Sequence, residues 1–169
     1  YPSSKRAAET LCIAYATEYG TPVTIARLCH TYGPGFTESD NRVFAQFFRN
    51  VLRGEDIVLK SRGEQYRSWL YVVDSAHALL HLLFHGESAQ AYNVADAKGN
   101  ITIRQLAEQV AAWAKRKVVF DIPATADQGN TTPVTRATFD TSKIEHTGWK
   151  PLFDISTGLN HSLETLKER

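Results

Sequence analysis

The sequence predicts an α/β fold, and two adjoining observations carry that expectation. Between Ser3 and Tyr19 the residues Ala7, Ala8, Leu11, Cys12, Tyr15 and Tyr19 recur at helical spacing, and Gly20-Thr-Pro22 ends the run. "VTIARLC" from Val23 to Cys29 follows directly, β-branched and mostly apolar, as expected of a strand buried on both faces of a parallel sheet. Further elements alternate in the same way. "YGPG" at Tyr32 to Gly35 is turn chemistry, a helix is expected at about Arg42 to Arg53, and Gly54 would cap it. Short strands are expected at Ile57 to Lys60 and Arg67 to Val73, then a helix from Asp74 to Phe84 with Asp74 as its N-cap. "AYNVA" reads as a strand, Ile103 to Lys115 as an amphipathic helix, and Val118 to Phe120 as another strand. A loop containing Pro, Thr and Gly runs to about Pro133, a short helix follows Asp140, and a last helix covers Ile155 to Lys167.

The chain has 169 residues, 43% hydrophobic and 22% charged, which suits one domain with its own core. Nineteen basic and eighteen acidic residues leave a net charge of +1, so no long-range field drives it onto nucleic acid or anionic lipid. Cys12 and Cys29 have no CxxC neighbour and are expected as free thiols in a reducing, cytoplasmic setting. No apolar run reaches the roughly 20 residues that span a bilayer, so no membrane is expected as a partner. Asn100-Ile-Thr102 and Asn130-Thr-Thr132 match the glycosylation pattern by chance. The sequence has no Met and starts at Tyr1, from which a piece of a longer chain is expected.

"YPSSK" carries the chemistry. Residues four apart share a helix face, so Tyr1 and Lys5 can act together. A nearby ammonium favours phenolate over phenol, which suits Tyr1 as general base or acid for an alcohol whose carbon gives hydride to a nicotinamide. The wider pattern is more specific. "YPSSKRAAE", a buried strand, "RLCHTYGPG", "RSWLYVVDSAHALLHLL", "YNV" and "GWKP" stand in one order over nearly the whole chain. Together they resemble the C-terminal half of the extended short-chain dehydrogenase/reductase family, in its NAD-dependent nucleotide-sugar epimerase/dehydratase branch.

The resemblance implies the C-terminal part of a Rossmann-type fold, with the catalytic helix and last parallel strands in residues 1–35 and a small α/β substrate-binding lobe mainly in 36–169. It implies Tyr1 as acid/base at a sugar hydroxyl, usually the 4-hydroxyl, and Lys5 on the nicotinamide ribose. Leu28 matches a position that approaches the nicotinamide, and His30, where the commonest pattern has Asn, a position beside the sugar diphosphate. Arg42 and Val43 match the start of a helix that approaches the nucleotide. Arg67 and Arg136 match positions beside the phosphates, a setting that suits bidentate guanidinium groups. Lys60 stands where many relatives stack an aromatic residue on the base. A homodimer through the Tyr/Lys helix is implied, with Ala7, Ala8 and Ala14 allowing close approach. His77, His81 and His85 recur every four residues but read as ordinary imidazoles, with no metal expected.

No GxGxxG or GxxxxGK pattern occurs, and "YGPG" is no phosphate cradle. NAD or NADP is therefore expected to be bound mainly by a missing N-terminal part, and this chain alone is expected to be inactive. The Ser/Thr and acidic residues that precede the Tyr in the family, and that separate dehydratase from epimerase or decarboxylase, are also absent. Two rival expectations are a non-enzymatic nucleotide-binding or interaction module on the same fold and a reductase of a non-nucleotide carbonyl.

Overall fold

A computed structural model describes residues 1–122 and 134–168. The expected loop to Pro133 lies mostly outside the described residues, as does Asn130-Thr-Thr132. Helix α1 (Pro2–Tyr19) leads through Gly20 into strand β1 (Thr24–Leu28), and β2 (His30–Tyr32) follows after one residue. Gly20 closes α1 in the left-handed region, φ 64°, which a side chain would resist. Helix α2 (Val43–Leu52), β3 (Ile57–Leu59), β4 (Tyr66–Tyr71), α3 (Val72–His85) and β5 (Gln90–Val94) come next. The chain ends with β6 (Asn100–Thr102), α4 (Ile103–Trp113), β7 (Val118–Phe120), β8 (Arg136–Ala137), α5 (Ser142–Glu145) and α6 (Ile155–Lys167). The short strands β2, β6 and β8 were not expected, because His-Thr-Tyr, Asn-Ile-Thr and Arg-Ala lack the apolar, β-branched run that marks the equally short β3 and β7.

β1 pairs with β5 in parallel, and β3 with β7. β4 is the hub: it pairs in parallel with β2 and β8 and antiparallel with β6. The expectation that Val23–Cys29 is buried on both faces is corrected. Every residue of β1 is half-buried or exposed, whereas β4 is buried from Arg67 onward. Strand alternation explains how β4 manages this. Trp69 and Tyr71 face a large core with Phe44, Phe48, Leu106 and Leu163, while Leu70 faces a second core with Leu82, Val94, Ile144 and Trp149.

The helix expected from Asp74 begins two residues earlier, with Tyr71 as N-cap. Asp74 caps nothing on its own helix. Its carboxylate is fully buried and accepts backbone N–H groups from Leu152 (2.7 Å) and Phe153 (3.2 Å), tying the "GWKPLF" segment down.

Candidate active site

One cleft of about 910 Å³ gathers residues from three parts of the chain. Tyr1, Lys5 and Glu9 come from α1 and its cap; Leu28 and His30 flank the junction of β1 and β2; Arg42, Val43, Arg67 and Trp69 come from α2 with its cap and from β4. This follows from local folding. The opening turn of α1 stacks Tyr1 and Lys5 one above the other, and Lys5 Nζ lies 5.5 Å from the centre of the Tyr1 ring. Tyr1 is 88% exposed, so its hydroxyl meets solvent and anything entering the cleft.

Arg67 lines the same cleft as a buried cation. It is 8% exposed, and its guanidinium donates to the carbonyls of Tyr66 (2.9 Å), Thr135 (3.3 Å) and Val134 (2.7 Å). Among the described residues no carboxylate pairs with it. A buried charge held only by dipoles keeps most of its attraction for an anion. His30 stacks near Trp69, with ring centres 5.2 Å apart, and its pKa lies below the ordinary imidazole value through desolvation and the charge of Arg67. Cys29 also lines the cleft, but burial pushes its thiol up to about 12, which makes it a poor nucleophile.

Arg42 lines the cleft while its guanidinium is forked onto Asp40, with Nη2 to Oδ2 at 2.5 Å. Arg136 lies elsewhere. It is exposed, stacks on the Tyr66 ring at 5.1 Å and does not line the cleft. Lys60 is paired with Asp121. His77, His81 and His85 run along α3, with His81 Nε2 bonded to Thr147 Oγ1 at 2.8 Å. Among the described residues no group of three or more His, Cys, Asp or Glu is placed to hold a metal ion, and no helix is long and apolar enough to cross a membrane.

Sequence reading missed Glu9, Ser61, Gln65 and Trp69 as cleft residues. Only Glu9 carried a signal, since it stands four residues beyond Lys5 on the same helix face.

The chain belongs to the NAD dependent epimerase/dehydratase family, whose sequence model matches residues 1–95. UDP-glucuronic acid decarboxylase 6 of Arabidopsis thaliana is 33% identical over 160 residues, covering 94% of this chain and 45% of that protein. UDP-glucose 4-epimerase of Thermotoga maritima, crystallised with UDP-glucose, superposes with a TM-score of 0.85 at 26% identity, over 99% of this chain and 53% of that one. RMD from Pseudomonas aeruginosa, complexed with NADPH, superposes with a TM-score of 0.83 at 29% identity, over 100% of this chain and 56% of that one. The chain thus spans about half the length of the relatives it matches.

These likenesses correct four expectations. The family resemblance is not confined to a C-terminal half, because it runs over nearly every residue present, from α1 to α6. The extended short-chain dehydrogenase/reductase fold likewise describes the whole chain rather than a C-terminal part. Placing NAD or NADP mainly on sequence outside this chain is withdrawn. The NAD-dependent family match falls on residues 1–95, and Tyr1, Lys5 and Leu28 line the cleft here. The expectation of an inactive fragment is withdrawn too. It rested on a missing glycine motif, whereas Tyr1, Lys5 and the buried Arg67 line one cleft within this chain, whose fold matches its relatives over nearly every residue.

Proposed function

We propose that this protein is an NAD(P)-dependent enzyme that oxidises a hydroxyl, at C4, of a nucleotide-diphosphate sugar as the opening step of an epimerisation, dehydration or decarboxylation. The observation that supports this most is that the Tyr1/Lys5 pair and the buried Arg67, which has no carboxylate partner among the described residues, line one cleft. The names of the Arabidopsis decarboxylase and the Thermotoga epimerase, both acting on UDP-sugars, point to the same substrate class.

When NAD(P) is bound, its nicotinamide supplies the hydride acceptor, which no side chain can replace. The residues present fit such a group. Lys5, with no carboxylate partner among the described residues, is free to hold ribose hydroxyls, and Leu28 offers an apolar contact to the ring. Tyr1 Oη takes the sugar hydroxyl proton as the carbon–hydrogen bond breaks, with the charge of Lys5 beside it. Arg67 holds the diphosphate, with His30, Arg42 and Val43 around it, while Arg136 stays on the Tyr66 ring outside the cleft. Residues 1–35 supply the proton-transfer side and 36–169 mainly the nucleotide side. We also infer a homodimer through α1, supported by the shallow groove of Ala7, Leu11 and Ala14, and a cytoplasmic setting, supported by the free thiols.

Turnover of UDP-glucose and UDP-glucuronic acid with NAD, and calorimetric binding of UDP, test the proposal. Tyr1→Phe should abolish turnover and keep UDP binding. Arg67→Ala should weaken UDP binding by about 10- to 100-fold, the worth of a charge-assisted hydrogen bond of about 1.5–3 kcal/mol. A Tyr1→Phe variant with full turnover would sink the catalytic assignment.

A further inference from the structure

We propose that Glu9 and Arg27 are positioning residues: their ion pair sets the orientation of α1 and so aims the Tyr1/Lys5 pair into the cleft. This rests on the catalytic reading above. α1 has eighteen residues, and none is buried. The hydroxyls of Ser4, Thr10 and Thr17 bond back to carbonyls within the same helix or its cap. Among the described residues, the polar side-chain link from α1 to the rest of the protein is the fork between Glu9 and Arg27 alone. Arg27 Nε meets Glu9 Oε1 at 2.8 Å, and Nη2 meets Oε2 at 2.6 Å.

The position of that fork on the helix gives it leverage. At about 100° per residue, Tyr1, Lys5, Glu9, Cys12 and Ala16 fall within an arc of roughly 80°. Glu9, Cys12 and Ala16 are the half-buried residues of α1, so the face that docks is the face that carries the chemistry. Eight residues separate Glu9 from Tyr1, a lever of about 12 Å, and a tilt of about 5° at Glu9 shifts Tyr1 by about 1 Å. Displacements of that size cost on the order of 100-fold in rate when they misplace a reacting group. Two parallel hydrogen bonds restrain rotation as well as distance, which a single Lys contact does not. The mutual hydrogen bonds hold the Glu9 carboxyl below its ordinary pKa, so the pair stays charged near neutrality.

Both side chains are substantially exposed, at 50% for Arg27 and 30% for Glu9. Exposed pairs contribute little to global stability. A purely structural role therefore predicts almost no phenotype, whereas the positioning role predicts lost turnover in a folded protein.

The test compares Glu9→Gln, Arg27→Gln and the charge-swapped double variant Glu9→Arg/Arg27→Glu with the wild type, using UDP-glucuronic acid, UDP-glucose and NAD. Each single variant should lose about 10- to 100-fold in kcat, with KM within about threefold and Tm within a few degrees. The double variant should recover most of the loss. A second readout is independent of turnover. Spin labels at Ser3→Cys and Glu55→Cys, in a Cys12→Ser/Cys29→Ser background, should give a narrow distance distribution that broadens in each single variant and narrows again in the double variant. An unchanged kcat and an unchanged distribution in Glu9→Gln would overturn the proposal, as would a change confined to KM. If Tyr1→Phe keeps full turnover, the catalytic reading fails instead, and the spin-label distances still decide whether the pair orients α1.

Discussion

Asp74 and His30 show how differently two polar side chains are held. Each oxygen of Asp74 receives one backbone N–H from the segment before α6, in a site with no exposure. Asp74→Ala leaves those two donors without partners and should cost about 2–4 kcal/mol by urea denaturation. Asp74→Asn, which keeps one acceptor, should cost less. His30 works in the opposite direction. Desolvation, then the charge of Arg67, lowers its pKa in the folded protein below the ordinary 6.5. Between those two values the unfolded chain binds more protons, so stability falls as pH drops below about 6.5 and levels off below the folded pKa. His30→Gln should flatten part of that acid-side loss in denaturation curves taken at several pH values, and Arg67→Ala should raise the His30 titration seen by NMR. His81 shifts the same way, chiefly through desolvation, so some slope will remain in His30→Gln.

Helices were easy to read because each announces itself within about four turns of chain. α4 is the fullest case. Thr102 accepts from Gln105 N at 3.0 Å, the Gln105 side chain accepts from Thr102 N at 2.8 Å, and Leu106, Ala107, Val110 and Ala111 form the buried face. Thr102→Ala should cost about 1 kcal/mol by urea denaturation, with kcat unchanged. The strands were harder. β1 was legible as a strand, but its partner β5 lies some sixty residues on, and nothing local says that no residue of β1 is fully buried. Asp74 carried the signature of a helix cap, yet the helix starts at Val72 and the carboxylate serves another segment. Arg136 had the chemistry of a phosphate clamp, and its pairing with Tyr66 directs it onto an aromatic face instead.

β4 joins the molecule together. Its alternate residues enter two different cores, so neither core can loosen without disturbing the strand between them. Trp69 reports on one core and Trp149 on the other. Urea unfolding followed by the fluorescence of Trp69 or of Trp149 alone, with Trp113 and the other replaced by Phe, should give midpoints that coincide with each other and with far-UV circular dichroism. Two separated transitions would show that the cores unfold independently. α1 stands apart from both, since none of its residues is buried.

The sequence by itself determined the helices and the placing of Tyr1 beside Lys5, because helical periodicity and four-residue spacing are local properties written in consecutive residues, and its ordered motifs pointed to the epimerase/dehydratase family but wrongly confined the likeness to a C-terminal half. Even Glu9 shares that spacing. Only the tertiary structure decided that Arg67 is buried with no carboxylate beside it among the described residues, that Arg27 reaches Glu9, that Asp74 tethers a distant loop and that Arg136 lies off the cleft. Each of those facts depends on which strand lies beside which, and pairing between segments tens of residues apart leaves no periodic trace in either segment.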